Sequence, residues 1–252
     1  LEIGCGSGLF LCCQMDLIEK SGRAPVADML IRNLLKYALE YRPPAPKRAM
    51  LISDKDAAMA SLFKERYAFI IEQADALNPG SLADLDIIFV DGADGKSIDR
   101  LAGSISELKQ WLRKKGKTLV WHRASPGQSD MLSELAGEKI AISKSEKAFN
   151  LIKTLPEDPL LDGISMFDMY YWTFAVFPAR PRPLAIIEHG VKCGAGRSLA
   201  ETFSADGKAA PASGLHTVPV GDGRLLISQV MWDAHDAGSK DADLQERQDR
   251  YI

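Results

Sequence analysis

Four residues whose types suit a ligand stand in two pairs, each directly behind a short apolar run. Asp91 and Asp94 follow residues 87–90, and His122 and Arg123 follow residues 118–121. If both runs are neighbouring strands, the four side chains fall just past their carboxyl ends, where open α/β sheets bind ligands. Carboxylate, imidazole and guanidinium groups there offer hydrogen bonds to a polar small molecule. The plainer role for such residues is to cap helices and meet water. These four are the candidate ligand-binding residues. Nucleophilic chemistry has a poorer basis. A catalytic cysteine needs a sharp strand-to-helix turn and a histidine oriented by a carboxylate. Glu188, His189 and Cys193 supply those types on a single stretch, but no cysteine directly follows residues 87–90 or 118–121. Ser125 stands where the chain leaves residues 118–121, yet Pro126 directly behind it is unlike a nucleophile elbow. Adjacent Cys12 and Cys13 would face opposite sides of a strand, and no Cys-x-x-Cys or zinc-like His/Cys spacing occurs. Nor can two carboxylates be assigned to opposite sides of a sugar, as glycoside hydrolysis requires. No catalytic residue, cofactor site or metal site is therefore assigned.

The stretch that organises the chain is Gly221-Asp222-Gly223-Arg224-Leu225-Leu226-Ile227-Ser228-Gln229. Its layout already occurs 215 positions earlier in Gly6-Ser7-Gly8-Leu9-Phe10-Leu11-Cys12-Cys13-Gln14. Each copy has Gly-x-Gly, one side chain, three apolar or small residues, Ser or Cys, then Gln. Glycines on either side of one residue suit a tight hairpin turn, and the run behind it suits a strand covered on both faces. Repetition at a fixed offset marks a repeated unit. The expected organisation is the C-terminal remnant of one α/β module over residues 1–42, a proline-rich linker over 43–48, and a second module over 49–252. In the first copy an apolar helix follows, with Val26, Leu30, Leu34 and Tyr37 on one stripe widened by Ala27, Ile31, Leu35 and Ala38, as for a helix packed on a sheet. In the second, Arg247-Gln248-Asp249-Arg250-Tyr251-Ile252 ends the chain where that helix would begin. The second module is thus expected to be truncated at its C-terminus, and the chain to be a fragment of something longer.

Composition sets broad limits. Of 252 residues, 46% are hydrophobic and 26% charged, which suits one or two globular domains. A net charge of −3 argues against nucleic acid or an anionic membrane surface as partner. No apolar run approaches the roughly 18 residues of a membrane span.

Strand-like and helix-like segments alternate through the second module. Strands are expected at residues 49–53, 68–71, 87–90, 118–121, 140–143, 184–188 and 225–228, and helices at 57–66, 98–112 and 130–135. That alternation predicts an α/β fold with a doubly wound, mainly parallel sheet flanked by helices. The unbroken apolar character of residues 87–90 and 118–121 makes them adjacent central strands.

Two resemblances follow from these strings. Leu1-Glu2-Ile3-Gly4-Cys5-Gly6-Ser7-Gly8 resembles the glycine-rich first motif of S-adenosylmethionine-dependent methyltransferases, with Asp54 as the nearest acidic residue for the ribose; the repeat instead makes Gly6-Ser7-Gly8 a turn between strands. Val90-Asp91-Gly92 followed by Glu107-Leu108-Lys109-Gln110-Trp111-Leu112-Arg113-Lys114-Lys115-Gly116-Lys117-Thr118-Leu119-Val120 resembles class I glutamine-amidotransferase-like (flavodoxin-like) domains. In particular it resembles the non-catalytic accessory versions in large glycoside hydrolases of the beta-galactosidase and sugar-binding type. Asp158-Pro159-Leu160-Leu161-Asp162-Gly163-Ile164-Ser165, the aromatic Asp168-Met169-Tyr170-Tyr171-Trp172 and the closing glycine stretch are similar to further segments of those domains. The resemblance implies a non-catalytic, structural, assembly or ligand-binding region of a multidomain glycoside hydrolase, without a cofactor. Its implied partners are other domains of the same polypeptide, a second copy in a homo-oligomer, and carbohydrate. The methyltransferase and a sugar or small-molecule binding module are the alternatives.

Overall fold

A computed structural model describes residues 2–5, 8–11, 13, 16–41, 48–53, 63, 70–73, 77, 80, 82–148, 151–162, 164, 187–202 and 211–230. The chain divides into two compact units, Leu1–Pro46 and Lys47–Ile252. Within the first, β1 (Glu2–Cys5) and β2 (Gly8–Leu11) form an antiparallel hairpin in which Cys5 pairs with Gly8. A short helix α1 (Leu17–Lys20) precedes α2 (Pro25–Glu40), which carries proline in its first turn, where no backbone donor is lost. Ala27 is the one buried residue of α2, so the apolar stripe expected to lie on a sheet is in contact with solvent. Gly8 opens a strand and not a helix, which removes the strand-loop-helix arrangement that the methyltransferase reading needs. Asp54 lies outside the described residues.

The second unit contains β3 (Arg48–Ile52), β4 (Ile70–Gln73), β5 (Ile87–Asp91), β6 (Thr118–His122), β7 (Ile140–Ala148) and β8 (Leu151–Lys153). It continues with β9 (Ile187–Cys193), β10 (Arg197–Thr202), β11 (Ser213–Val220) and β12 (Gly223–Ser228). Among the described residues its helices include α3 (Gly95–Leu101), α4 (Ile105–Leu112) and α5 (Ser129–Ala136). All ten strands join one sheet in the order β4-β3-β5-β6-β12-β11-β10-β8, with β9 on β11 and β7 on β9. The pairs β4–β3, β3–β5, β5–β6 and β6–β12 are parallel. The pairs β12–β11, β11–β10, β10–β8, β11–β9 and β9–β7 are antiparallel.

This corrects the expected fold class. The sheet is mixed, not mainly parallel, and the fold is not the doubly wound flavodoxin-like one. The cause lies in the connections. A parallel neighbour needs a crossover of a dozen or more residues, whereas only Gly221 and Asp222 separate β11 from β12. Gly221 turns there with φ of 60°, and a Cβ on Gly223 would collide with the carbonyl of Leu112 at the end of α4. The turn residues therefore impose a hairpin, and the strands on its far side follow the antiparallel direction.

Residues 87–90 and 118–121 do lie in adjacent central strands, β5 and β6. Side chains alternate between the two faces along each strand. Met50, Ile52, Ile88, Val90, Leu119, Trp121, Leu225 and Ile227 face one core, which they share with α3, α4 and α5 residues such as Leu101, Leu108 and Leu132. Leu51, Phe89 and Leu226 face a second core with Leu151, Leu199 and Leu215. Cover on both faces accounts for the unbroken apolar runs. Apart from Phe63, the expected helix at 57–66 lies outside the described residues, as do residues 184–186, the aromatic run from Phe167 to Trp172 and everything after Val230.

Candidate functional site

Parallel register brings three strand ends together. Asp91 of β5 lies opposite His122 of β6, and His122 lies opposite Ser228 of β12. A cleft of about 260 Å³ opens at these carboxyl ends, the place where α/β sheets of this kind bind ligands. Gly92 and Ala93 leave β5 along one wall, and Arg123 and Ser125 leave β6 along another. Gln229 contributes from β12, and Glu188 and His189 from β9.

Of the four sequence candidates, Arg123 lines the cleft. Its φ of 55° is the one left-handed value at a non-glycine residue among the described residues, and its N–H donates to Ser228 O at 2.7 Å. The strand-end bond thus holds Arg123 in a conformation that side chains disfavour, the kind of local strain found at ligand sites. Asp91 is buried and engaged elsewhere: it accepts from Ala93 N at 3.0 Å and Ser53 Oγ at 3.3 Å, closing the turn behind β5. Asp94 caps α3, accepting from Lys96 N at 3.2 Å and from Ser97 Oγ. His122 is buried, and its carbonyl accepts from Gly92 N at 2.7 Å. That approach requires glycine, since a Cβ on Gly92 would stand 2.7 Å from His122 O and 2.9 Å from Arg123 O.

Two buried amides complete the floor. Gln128 donates to Gly92 O at 2.7 Å and accepts from Trp121 Nε1 at 3.0 Å and Ser125 N at 3.2 Å, tying the β5 and β6 exits together. Gln229 donates through Nε2 to Ala124 O at 3.0 Å and through its backbone N–H to Gly214 O at 2.8 Å. Sequence reasoning did not single out Gln128 for the site. Its available signal was Ser125-Pro126-Gly127-Gln128, the spacing of a capping box, which forms here. Gln229 was legible only as the shared end of the repeat.

Cys193 packs half-buried against the first core. It also borders a wider depression of about 630 Å³ with His216, Lys139 and Lys192. His216 Nε2 lies 3.1 Å from Ala195 O, and no hydrogen bond joins His216 to Cys193. Among the described residues His216 is thus engaged with the backbone and not with this thiol. Among the described residues no group of three or more His, Cys, Asp or Glu is placed to hold a metal ion.

No protein-family model and no curated protein matches the sequence. Solved structures do. The exo-beta-1,4-mannosidase Op5Man5 from Opitutaceae bacterium strain TAV5 is similar at 15% identity and a TM-score of 0.46, over 90% of this chain and 38% of its own. A beta-galactosidase from Rahnella sp. R3 is similar at 12% identity and a TM-score of 0.45, over 90% of this chain and 33% of its own. The cytoplasmic protein STM1381 from Salmonella typhimurium LT2 is similar at 9% identity and a TM-score of 0.50, over 81% of this chain and 96% of its own. The structural neighbours thus include glycoside hydrolases, and the chain spans about a third of the length of these two. The STM1381 likeness speaks to the fold alone.

Proposed function

We propose that this chain is a non-catalytic accessory region of a multidomain glycoside hydrolase of the beta-galactosidase type, and that its strand-end cleft holds a small hydroxylated ligand, a carbohydrate. The observation that carries the reading is the make-up of the cleft. Arg123, Ser125, Glu188 and His189 line a site of about 260 Å³ over a floor that the buried Gln128 and Gln229 amides hold in place, a pattern suited to orienting hydroxyl groups. Glu188 is the one carboxylate among the described lining residues. Hydrolysis of a glycoside uses two, roughly 5 to 10 Å apart across the sugar. Parentage rests on the resemblance that segments from Val90-Asp91-Gly92 to the closing glycine stretch bear to accessory regions of large glycoside hydrolases. Partners on this reading are the other domains of the polypeptide and further copies of it.

Calorimetric titration with galactose, mannose and lactose tests the ligand role. Binding is expected in the millimolar range or tighter, and Arg123→Ala should abolish it. Absence of heat with every sugar at about 50 mM, well beyond a millimolar dissociation constant, would remove carbohydrate from the proposal. Release of nitrophenol from nitrophenyl galactosides by the purified chain would remove the non-catalytic part.

A further inference from the structure

The hairpin repeat is carried by geometry as well as by sequence. Cys5 pairs with Gly8 in the first unit as Val220 pairs with Gly223 in the second, and the remaining rungs correspond down to Glu2–Leu11 and Thr217–Leu226. In the second unit this hairpin is built into the sheet, with β12 parallel to β6 from Arg224–Thr118 to Ser228–His122 and β11 antiparallel to β10. In the first unit β1 and β2 form a two-stranded sheet of their own, an arrangement of marginal stability in water. Helix α2 shows the same lack of cover: Val26, Met29 and Leu35 are 61%, 55% and 59% exposed. A 16-residue helix draws most of its stability from packing of its apolar face.

We propose that residues 2–40 are the closing hairpin and covering helix of another α/β sheet, one of the kind that residues 48–216 form, borne on a different stretch of polypeptide. β2 takes the place beside that sheet's β6-like strand, and the apolar side of α2 lies on its face. The identity of the occupant follows from the β12–β6 interface, already present in this molecule. A hairpin of matching register needs a parallel strand on one side and an antiparallel strand on the other. A membrane or an unrelated helix would cover α2 but leave both hairpin edges unpaired.

The sheet of the second unit serves as the probe. Transplanting residues 3–10 of the first hairpin into the second takes Val218→Ile, Pro219→Gly, Val220→Cys, Asp222→Ser, Arg224→Leu and Leu225→Phe in the full chain. A second variant omits Leu225→Phe, because Leu225 is fully buried and the larger ring risks overpacking. The variant that keeps Leu225 decides. It is expected to unfold in one cooperative thermal transition, with amides 224–228 as protected from hydrogen exchange as in the parent. Loss of that transition overturns the proposal. In a second arm, residues 48–216 are joined directly ahead of Glu2 in the full chain, supplying the open sheet. The amides of α2 are then expected to exchange about a hundredfold more slowly than in the 252-residue chain. Unchanged exchange overturns the docking of α2.

Discussion

The side-chain oxygen of Gln128 accepts the indole N–H of Trp121 at 3.0 Å, beneath a cleft whose opposite wall the same amide holds through Gly92 O at 2.7 Å. Trp121 is fully buried and Gln128 nearly so. Gln128→Leu would leave an indole donor and a peptide carbonyl without their partner in the interior. Each such group costs about 1 to 3 kcal/mol, so the variant should lose about 2 to 6 kcal/mol in urea denaturation. Gln128→Glu should also destabilise, since an ionised carboxylate cannot donate to Gly92 O. A loss under about 1 kcal/mol for Gln128→Leu would show that water replaces the amide.

Arg123 separates strain from binding. A left-handed backbone costs a non-glycine residue about 1 to 2 kcal/mol, and glycine relieves that at the expense of about 0.5 to 1 kcal/mol in unfolded-chain entropy. Arg123→Gly should therefore leave stability unchanged or raise it by up to about 1 kcal/mol, while ligand binding is lost. Arg123→Val, β-branched at the same φ, should destabilise by about 1 to 2 kcal/mol. Equal stability of the two variants in chemical denaturation would mean that the conformation is not strained.

How far the sequence disclosed this arrangement depends on what each half of the sheet buries. Strands β3, β5, β6 and β12 carry apolar residues on both faces, and their run-like character was readable directly. Strand β11, Ser213-Gly214-Leu215-His216-Thr217-Val218-Pro219-Val220, is almost wholly buried yet polar at three positions. Ser213 meets Ser198 Oγ at 2.8 Å, and His216 lies 3.1 Å from Ala195 O. Those partners come from β10 and the loop ahead of it, so nothing local announces that such polar residues are interior. Without β11 the antiparallel half was missed and the sheet read as mainly parallel. The site divides similarly. Arg123 was legible because it follows a strand, whereas Gln128 and Gln229 reach backbone groups 36 and 105 positions away.

The hairpin turn offers a sharper energetic contrast. Gly223 sits against the end of α4, where a methyl group would meet Leu112 O and would stand 2.8 Å from Lys117 O. Backbone on both sides leaves no flexible atom to yield, so Gly223→Ala should cost about 1 to 3 kcal/mol, in the range of overpacked interiors. Gly103→Ala is the control, since nothing lies within 4 Å of its added Cβ, and a compatible Gly→Ala change stabilises by about 0.4 to 1 kcal/mol. Thermal melts that fail to order the variants Gly103→Ala, parent, Gly223→Ala from most to least stable would contradict the packing of β12 against α4.

The turn ahead of α2 carries a titratable contact with a definite sign. Asp28 Oδ1 accepts from Ser21 Oγ at 2.7 Å and from Gly22 N at 2.9 Å. The Ser21 hydroxyl, then the Gly22 amide, hold the Asp28 carboxyl below its usual value of 3.8, against opposition from desolvation and with the smallest contribution from Arg32. A carboxylate depressed in the folded state stabilises above its unfolded pKa, and that contribution is lost as pH falls through the folded value. The α1–α2 turn should therefore be intact at pH 5 and loosen only below the ordinary aspartate range of about 3.9. Carboxyl-carbon chemical shifts would place the Asp28 midpoint below 3.8, and Ser21→Ala should raise it by removing the larger cause. Above the unfolded pKa the Ser21 and Gly22 amide signals should be insensitive to pH, and below the Asp28 midpoint they should shift together. An Asp28 midpoint at or above 3.8 in the parent, or no movement in Ser21→Ala, would mean that these contacts do not persist in solution.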